Sequence, residues 1–112
     1  MNEASKGDIW LTNLPGGSGH EQKGRKYAVV LRDVGKMNIV VLVPLTSKSK
    51  TEHYPFTHLI VPSAENGLVK ETYAIVFQIV ALDKSRLVQK TGHLAEKDVS
   101  HINLILKDML KL

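Results

Sequence analysis

The sequence predicts a mainly β protein, a small antiparallel β-barrel or half-barrel followed by an amphipathic C-terminal α-helix. Five or six short apolar segments follow one another, and the loops between them are too short for crossover helices, so neighbouring strands should pair antiparallel. In the tail, the spacing of apolar residues changes to three or four. The 112 residues fit a single domain, 1–112, with no repeat or linker that would divide it.

The strands are predicted from apolar, β-branched runs that end at Gly, Pro, Asn or polar clusters. The predicted strands are Asp8–Leu14, Lys26–Arg32, Asn38–Leu45, Thr57–Val61, Tyr73–Leu82 and Arg86–Thr91. The third contains a continuous β-branched run, which is typical of a strand buried on both faces. In the long fifth strand only Gln78 interrupts the apolar pattern. Gln78 is either a core amide with satisfied hydrogen bonds or a donor that faces a pocket.

The tail is predicted to form an amphipathic helix of about four turns that begins near Ala95. Val99, Ile102, Leu106 and Met109 recur every three or four residues, and mostly charged or polar residues lie between them. This apolar stripe is expected to cap the barrel.

Charge and residue composition limit the range of possible functions. The net charge of +4 and the pI of about 9.4 favour polyanionic or acidic partners. The absence of cysteine excludes disulfides, thiolate chemistry and cysteine-ligated zinc. The histidines lack metal-ligand spacing, so we expect neither a metal nor another cofactor. The N-terminus lacks a signal peptide and no apolar run approaches the roughly 20 residues that span a bilayer, so we expect a cytoplasmic protein without membrane contacts.

The glycine-rich loop at 15–24 and its flank carry a concentrated set of reactive groups. Gly19–Lys26 resembles a P-loop but lacks its Ser or Thr and leads into a strand, so nucleotide binding is rejected. RNA cleavage by the neighbouring 2′-hydroxyl needs a base, an acid and cationic support, and this segment holds all three types. His20 is its only side chain that titrates near neutrality. Alternatively, the segment is a solvated loop that only joins two strands.

A second polar loop follows the third strand. Hydroxyls and lysines at a strand end are good phosphate donors, and Thr46, Ser47, Lys48 and Lys50 supply both kinds of group. Alternatively, these are ordinary turn-favouring residues.

Several segments, in the same order, resemble the MazF/PemK/Kid family of toxin–antitoxin toxins over nearly the whole chain. The segments that carry the resemblance are Gly7–Leu11, Gly19–Gln22 with Gly24, Val43–Ser47, Tyr54–Phe56, Gln78–Ile79 and Leu82–Leu87. The resemblance implies an SH3-like barrel, a homodimer and metal-independent cleavage of single-stranded RNA at short sequences. It also implies a cognate antitoxin that covers the RNA groove, and DNA binding only through the toxin–antitoxin complex.

The resemblance also suggests roles for particular residues. Lys26 stands where the family has its important arginine. Lysine keeps the positive charge but lacks the planar guanidinium group that binds a phosphate through two hydrogen bonds. Lys26, with Arg25 as the alternative cation, is predicted to stabilise the transition state. Thr46 would position the phosphate or the 2′-hydroxyl, and His20 would act as general acid or base or contact RNA. The predicted RNA-binding residues are Glu21, Gln22, Ser47, Lys48, Lys50 and Gln78.

Two further departures concern the fifth strand. Phe77 stands where many relatives have an acid, and Val80 where many have a cation. A branch of the family uses an arginine–aspartate pair at the positions of Ile75 and Phe77, and that chemistry cannot operate here.

The resemblance as a whole makes an RNA-cleaving toxin the first hypothesis. The alternatives are a weak or inactive homologue that still binds RNA and antitoxin, and a protein-interaction barrel that acts on no RNA.

Overall fold

A computed structural model describes residues 3–15 and 24–112 of the protein. Seven strands and one α-helix occur in this described part. The strands are β1 (Asp8–Leu14), β2 (Gly24–Val34), β3 (Ile39–Thr46), β4 (Thr57–Ile60), β5 (Thr72–Ile75), β6 (Val80–Asp83) and β7 (Leu87–His93), and the helix is α1 (Glu96–Leu110). Short 3₁₀ turns occupy Gly35–Met37, Ser49–His53, Val76–Gln78 and Lys84–Arg86.

The strands form one bent antiparallel sheet, a half-barrel, in the order β4-β5-β3-β2-β1-β7. Each pairing between these strands is antiparallel, as predicted. β6 joins the sheet through β3, also antiparallel. β3 is therefore the central strand, with β2 on one edge and both β5 and β6 on the other.

The prediction of one long strand over Tyr73–Leu82 is wrong. Along β3 the pairing advances three residues, from Leu45 to Leu42, whereas the partner chain advances six, from Ala74 to Val80. The surplus residues cannot join the ladder, and the chain turns out of the sheet as the 3₁₀ turn Val76–Gln78 between β5 and β6. Irregularities of this kind re-aim side chains next to functional sites.

Both faces of the central strands are buried, which confirms the interpretation of the β3 sequence. On β1, Ile9 belongs to one apolar cluster and its neighbour Trp10 to another. Val43 and Leu42 on β3 divide in the same way, as the twofold periodicity of a strand requires. The first cluster is covered by α1, whose buried Ile102 lies within it.

The predicted helix is confirmed and begins directly after Ala95. Its apolar stripe, Val99, Ile105, Leu106 and Met109, packs against the first cluster around Ile102. Two acidic residues lie in its first turn, where negative charge complements the helix dipole. One of them, Asp98, also bonds His58 of β4 at 2.8 Å, which ties the helix to the edge of the sheet. No helix in the described ranges has the length and hydropathy needed to cross a membrane.

Candidate RNA-binding groove

Two adjoining cavities open where β2 begins and β3 ends. The larger has a volume of about 630 Å³ and lies between the ends of β1 and β3, the 3₁₀ turn Ser49–His53 and the corner between β5 and β6. The smaller, of about 290 Å³, lies between the start of β2, the end of β3 and the segment before β5. Both cavities are lined by Lys26, Leu45, Thr46 and Lys48. We call the two cavities together the cation-lined groove.

The groove is positively charged along its described length. Lys26, Lys48 and Lys50 line the larger cavity, and Arg25 and Lys70 add two cations in the smaller one. None of the described residues that line either cavity is an aspartate or glutamate. A surface of this kind attracts phosphates rather than cations.

Lys26 and Arg25 face different parts of the groove. Because β2 already begins at Gly24, successive side chains alternate between the two faces of the strand. The half-buried Lys26 lines both cavities, whereas the exposed Arg25 lines only the smaller one. The backbone of Lys26 is held by the completely buried Thr12 of β1, whose hydroxyl donates a 2.8 Å hydrogen bond to the Lys26 carbonyl.

The end of β3 presents hydroxyl and ammonium groups together. The Thr46 hydroxyl oxygen accepts a hydrogen bond from the Lys48 backbone N–H at 3.3 Å, which turns the chain out of the sheet. A hydroxyl has a second lone pair and its own proton, so Thr46 can still bind an oxygen in the cavity. The following 3₁₀ turn is anchored by the buried Thr51, and Lys50 of this turn also lines the larger cavity.

Glu52 lies in the same turn but is engaged elsewhere. The Tyr73 hydroxyl donates a hydrogen bond of 3.5 Å to the Glu52 carboxylate. Burial, followed by the charges of Glu52 and Glu71, raises the pKa of Tyr73 above its ordinary value. The phenol therefore stays protonated and continues to bind Glu52.

The opposite wall of the larger cavity is formed by the corner between β5 and β6. Phe77 and Gln78, both exposed, lie on the 3₁₀ turn that the surplus residues create. Ile75, Ile79 and Val80 continue this wall. Tyr54 packs against Phe77, with ring centroids 6.1 Å apart and an interplanar angle of 72°. The structure thus answers the question about Gln78, which is a donor facing a cavity and not a core amide.

All seven sequence-predicted site residues that lie within the described ranges meet in this groove. Lys26, Thr46, Lys48, Lys50 and Gln78 line the larger cavity. Arg25 and Ser47 line the smaller one.

The remaining predicted residues, His20, Glu21 and Gln22, lie outside the described residues. Among the described lining residues there is no imidazole or carboxylate. The general acid–base role predicted for His20 therefore stays a prediction. In the described ranges no group of three or more His, Asp or Glu side chains is arranged to hold a metal ion.

Sequence reasoning missed several lining residues. In the sequence, Tyr54 stands out only as part of a segment that resembles the MazF/PemK/Kid family, and Phe77 only as a departure from that family's pattern. Tyr27 and Lys70 of the smaller cavity carried no signal beyond their aromatic or basic character. Their positions depend on turns and on distant strand pairing, which local patterns do not show.

Comparison with known proteins gives a consistent result. The family model described as "PemK-like, MazF-like toxin of type II toxin-antitoxin system" matches residues 5–110. The Endoribonuclease MazF of Staphylococcus saprophyticus is 29% identical over 101 residues, which cover 88% of this chain and 83% of that protein.

Solved structures share the fold. A crystal structure of MazF from Deinococcus radiodurans superposes with a TM-score of 0.76 at 24% identity, over 98% of this chain and 97% of that one. A mycobacterial endoribonuclease in complex with its cognate antitoxin gives a TM-score of 0.73 at 22% identity, with the same coverage.

Proposed function

We propose, because this chain belongs to the family of PemK-like, MazF-like toxins of type II toxin–antitoxin systems, that it is an endoribonuclease that cuts single-stranded RNA without a metal ion. The observation that carries the proposal is the cation-lined groove. Lys26 and Thr46 line both cavities of the groove, and no acidic side chain is among the described lining residues. The name of the staphylococcal relative, Endoribonuclease MazF, supports the same reaction.

In the proposed reaction, the ribose 2′-hydroxyl attacks the adjacent phosphorus and the 5′-oxygen leaves. The 2′-hydroxyl proton passes to a base and the departing 5′-oxygen receives a proton from an acid, so the products are a 2′,3′-cyclic phosphate and a 5′-hydroxyl and no water is consumed in this step. Negative charge on the non-bridging oxygens increases in the transition state, and a fixed cation stabilises it. Lys26 is the favoured cation because it lines both cavities, whereas Arg25 lines only one.

The other proposed roles follow from position and chemistry. The Thr46 hydroxyl positions the reacting phosphate or the 2′-hydroxyl, and Ser47, Lys48 and Lys50 hold flanking phosphates. His20 acts as general acid or base or contacts the RNA, and Glu21 and Gln22 contact it too. These three roles rest on the family resemblance alone.

The proposed assembly is a cytoplasmic homodimer that a cognate antitoxin neutralises. A mycobacterial neighbour in the solved structures is an endoribonuclease bound to its cognate antitoxin, which supports the antitoxin part of the proposal. DNA binding is proposed only for the toxin–antitoxin complex.

A second candidate is a weak or inactive homologue that binds RNA and antitoxin. Its specific support is the chemistry of the β5–β6 corner, where the apolar side chains of Phe77 and Val80 line the larger cavity. Such side chains transfer no proton and bind no phosphate.

One experiment separates the two candidates. The purified protein is incubated with a long single-stranded RNA in EDTA, and the new ends are mapped. The endonuclease proposal predicts discrete cuts with 2′,3′-cyclic phosphate and 5′-hydroxyl ends. RNA binding without cuts would support the inactive homologue. Cuts that disappear in EDTA and return with a divalent metal would contradict the proposed mechanism.

A further inference from the structure

Two aromatic side chains are exposed on one wall of the larger cavity. Tyr54 and Phe77 are 51% and 40% exposed, and both line this cavity. Their ring planes make an angle of 72°, so they form an edge-to-face pair. In such a pair one ring covers a single face of the other, and the remaining faces stay available to a planar ligand.

Two 3₁₀ turns and a backbone hydrogen bond fix the position of the aromatic pair. Phe77 lies at the centre of the 3₁₀ turn formed by the surplus residues between β5 and β6, and Tyr54 follows directly after the 3₁₀ turn Ser49–His53. The backbone N–H of Val76, which precedes Phe77, is bonded to the Phe56 carbonyl at 3.0 Å. This bond joins the two segments next to the rings, so the aromatic pair is held at a defined place in the cavity.

The surroundings of the pair match the parts of one nucleotide. The ring faces offer stacking, which every base accepts because every base has a π-face. Gln78, the next residue after Phe77, offers an amide donor and acceptor that suit a base edge. Lys48 and Lys50 line the same cavity and suit the phosphate.

We propose that Tyr54 and Phe77 form a stacking subsite for one unpaired base of the RNA, with Gln78 contacting the edge of that base. The inference rests on the proposed function and extends it from cleavage to base recognition. Stacking provides most of the binding affinity in this subsite, and the hydrogen bonds of Gln78 determine which base is preferred. An acidic protein segment would also pair with the lysines, but it carries no purine or pyrimidine ring to stack on the aromatic faces, so an unpaired base is the favoured occupant.

The experiment uses an RNA with one 2′-deoxynucleotide at the mapped cleavage position, which blocks attack by the 2′-hydroxyl. Binding is measured by anisotropy for the parent, Tyr54→Leu and Phe77→Leu, and for the aromatic variants Tyr54→Phe and Phe77→Tyr. Each leucine variant should raise Kd by about five- to 150-fold, the range for loss of one stacked base. The aromatic variants should stay within about threefold of the parent, since both keep a ring for stacking.

A second readout locates the base. In the Phe77→Trp variant, RNA should quench the emission of the new indole, above the background of Trp10, which is buried. The matched control is Met37→Trp, because Met37 is 66% exposed and lines neither cavity. Its indole should keep its emission when RNA is added. Circular dichroism verifies that each variant is folded.

The outcomes distinguish this inference from the proposed function. If the parent binds and cleaves RNA but the leucine variants bind it equally well, the stacking subsite is refuted and the endonuclease proposal stands. If the leucine variants lose antitoxin binding and keep RNA binding, the pair is a protein contact and the inference is equally refuted. If the parent binds no RNA, the proposed function fails and the inference fails with it.

Discussion

The cation-lined groove predicts a specific dependence of RNA binding on salt. Three lysines, Lys26, Lys48 and Lys50, line the larger cavity, and Arg25 and Lys70 extend the charge into the smaller one. Each phosphate neutralised on a single strand contributes about −0.7 to the slope of log affinity against log salt. Contacts from the larger cavity alone therefore give a slope of about −2, and contacts from all five cations give about −3.5.

Single substitutions divide this slope among the residues. Lys48→Ala removes one phosphate contact, so the slope should become shallower by about 0.7 and binding at low salt should weaken. Lys36→Ala is the matched control, because Lys36 is exposed and lines neither cavity, and its slope should equal that of the parent. The assay is anisotropy with the RNA that carries a 2′-deoxynucleotide at the cleavage position, over 50–300 mM KCl. A slope near zero for the parent, or equal slopes for Lys48→Ala and the parent, would refute the assignment of phosphate contacts to the groove.

Three further predictions concern the fold and the assembly. Thr12→Val removes the hydrogen bond to the Lys26 carbonyl, so it should lower the free energy of unfolding, measured by urea titration, by about 1 kcal/mol. RNA cleavage should also become slower. An unchanged free energy of unfolding would mean that this bond contributes nothing to stability. The hydrogen bond from Lys84, 2.8 Å long, lowers the pKa of Asp33, so its contribution to stability is present above the ordinary pKa of aspartate and is lost as the pH falls through the lowered folded-state pKa. The difference in Tm between the parent and Asp33→Asn should therefore shrink on acidification, and a constant difference would count against the ion pair. Sedimentation at micromolar concentration should show a dimer, and a monomer alone would contradict the proposed assembly.

The parts of the fold that were predictable are those with local signals. β1 was predicted with the observed bounds, Asp8–Leu14, because its apolar centre lies between polar and glycine-rich segments. The helix Glu96–Leu110 was predicted from the three- and four-residue spacing of its apolar stripe. Both signals depend only on residues within the element, so no knowledge of distant contacts was needed.

The parts that were missed depend on distant pairing. The apolar run at Tyr73–Leu82 is uniform, and nothing in it shows that β3 accepts two separate partners on one edge. The mismatch in length along β3 creates the 3₁₀ turn and exposes Phe77. For the same reason the aromatic wall of the groove could not be predicted, although Gln78 beside it was singled out.

The choice between two neighbouring cations depended on where a strand begins. The sequence alone leaves both Lys26 and Arg25 open as the cation that stabilises the transition state. β2 does begin at Gly24, so the alternation separates the two side chains. The bounds of a strand are among the least certain features of a sequence prediction, because pairing with a neighbouring strand can extend the ladder into flanking residues.

Whether the cation-lined groove is the catalytic site is decided by the single-turnover rate of RNA cleavage in EDTA, measured for the parent, Lys26→Ala, Thr46→Ala and Arg25→Ala. Lys26→Ala and Thr46→Ala should each lower the rate by about 10²-fold or more, the loss expected when electrostatic support of a transition state is removed. Arg25→Ala should be the mild variant, and Lys26→Arg should maintain or raise the rate. If Lys26→Ala, Thr46→Ala and Arg25→Ala all cleave at the parental rate, the groove described here is not the catalytic site.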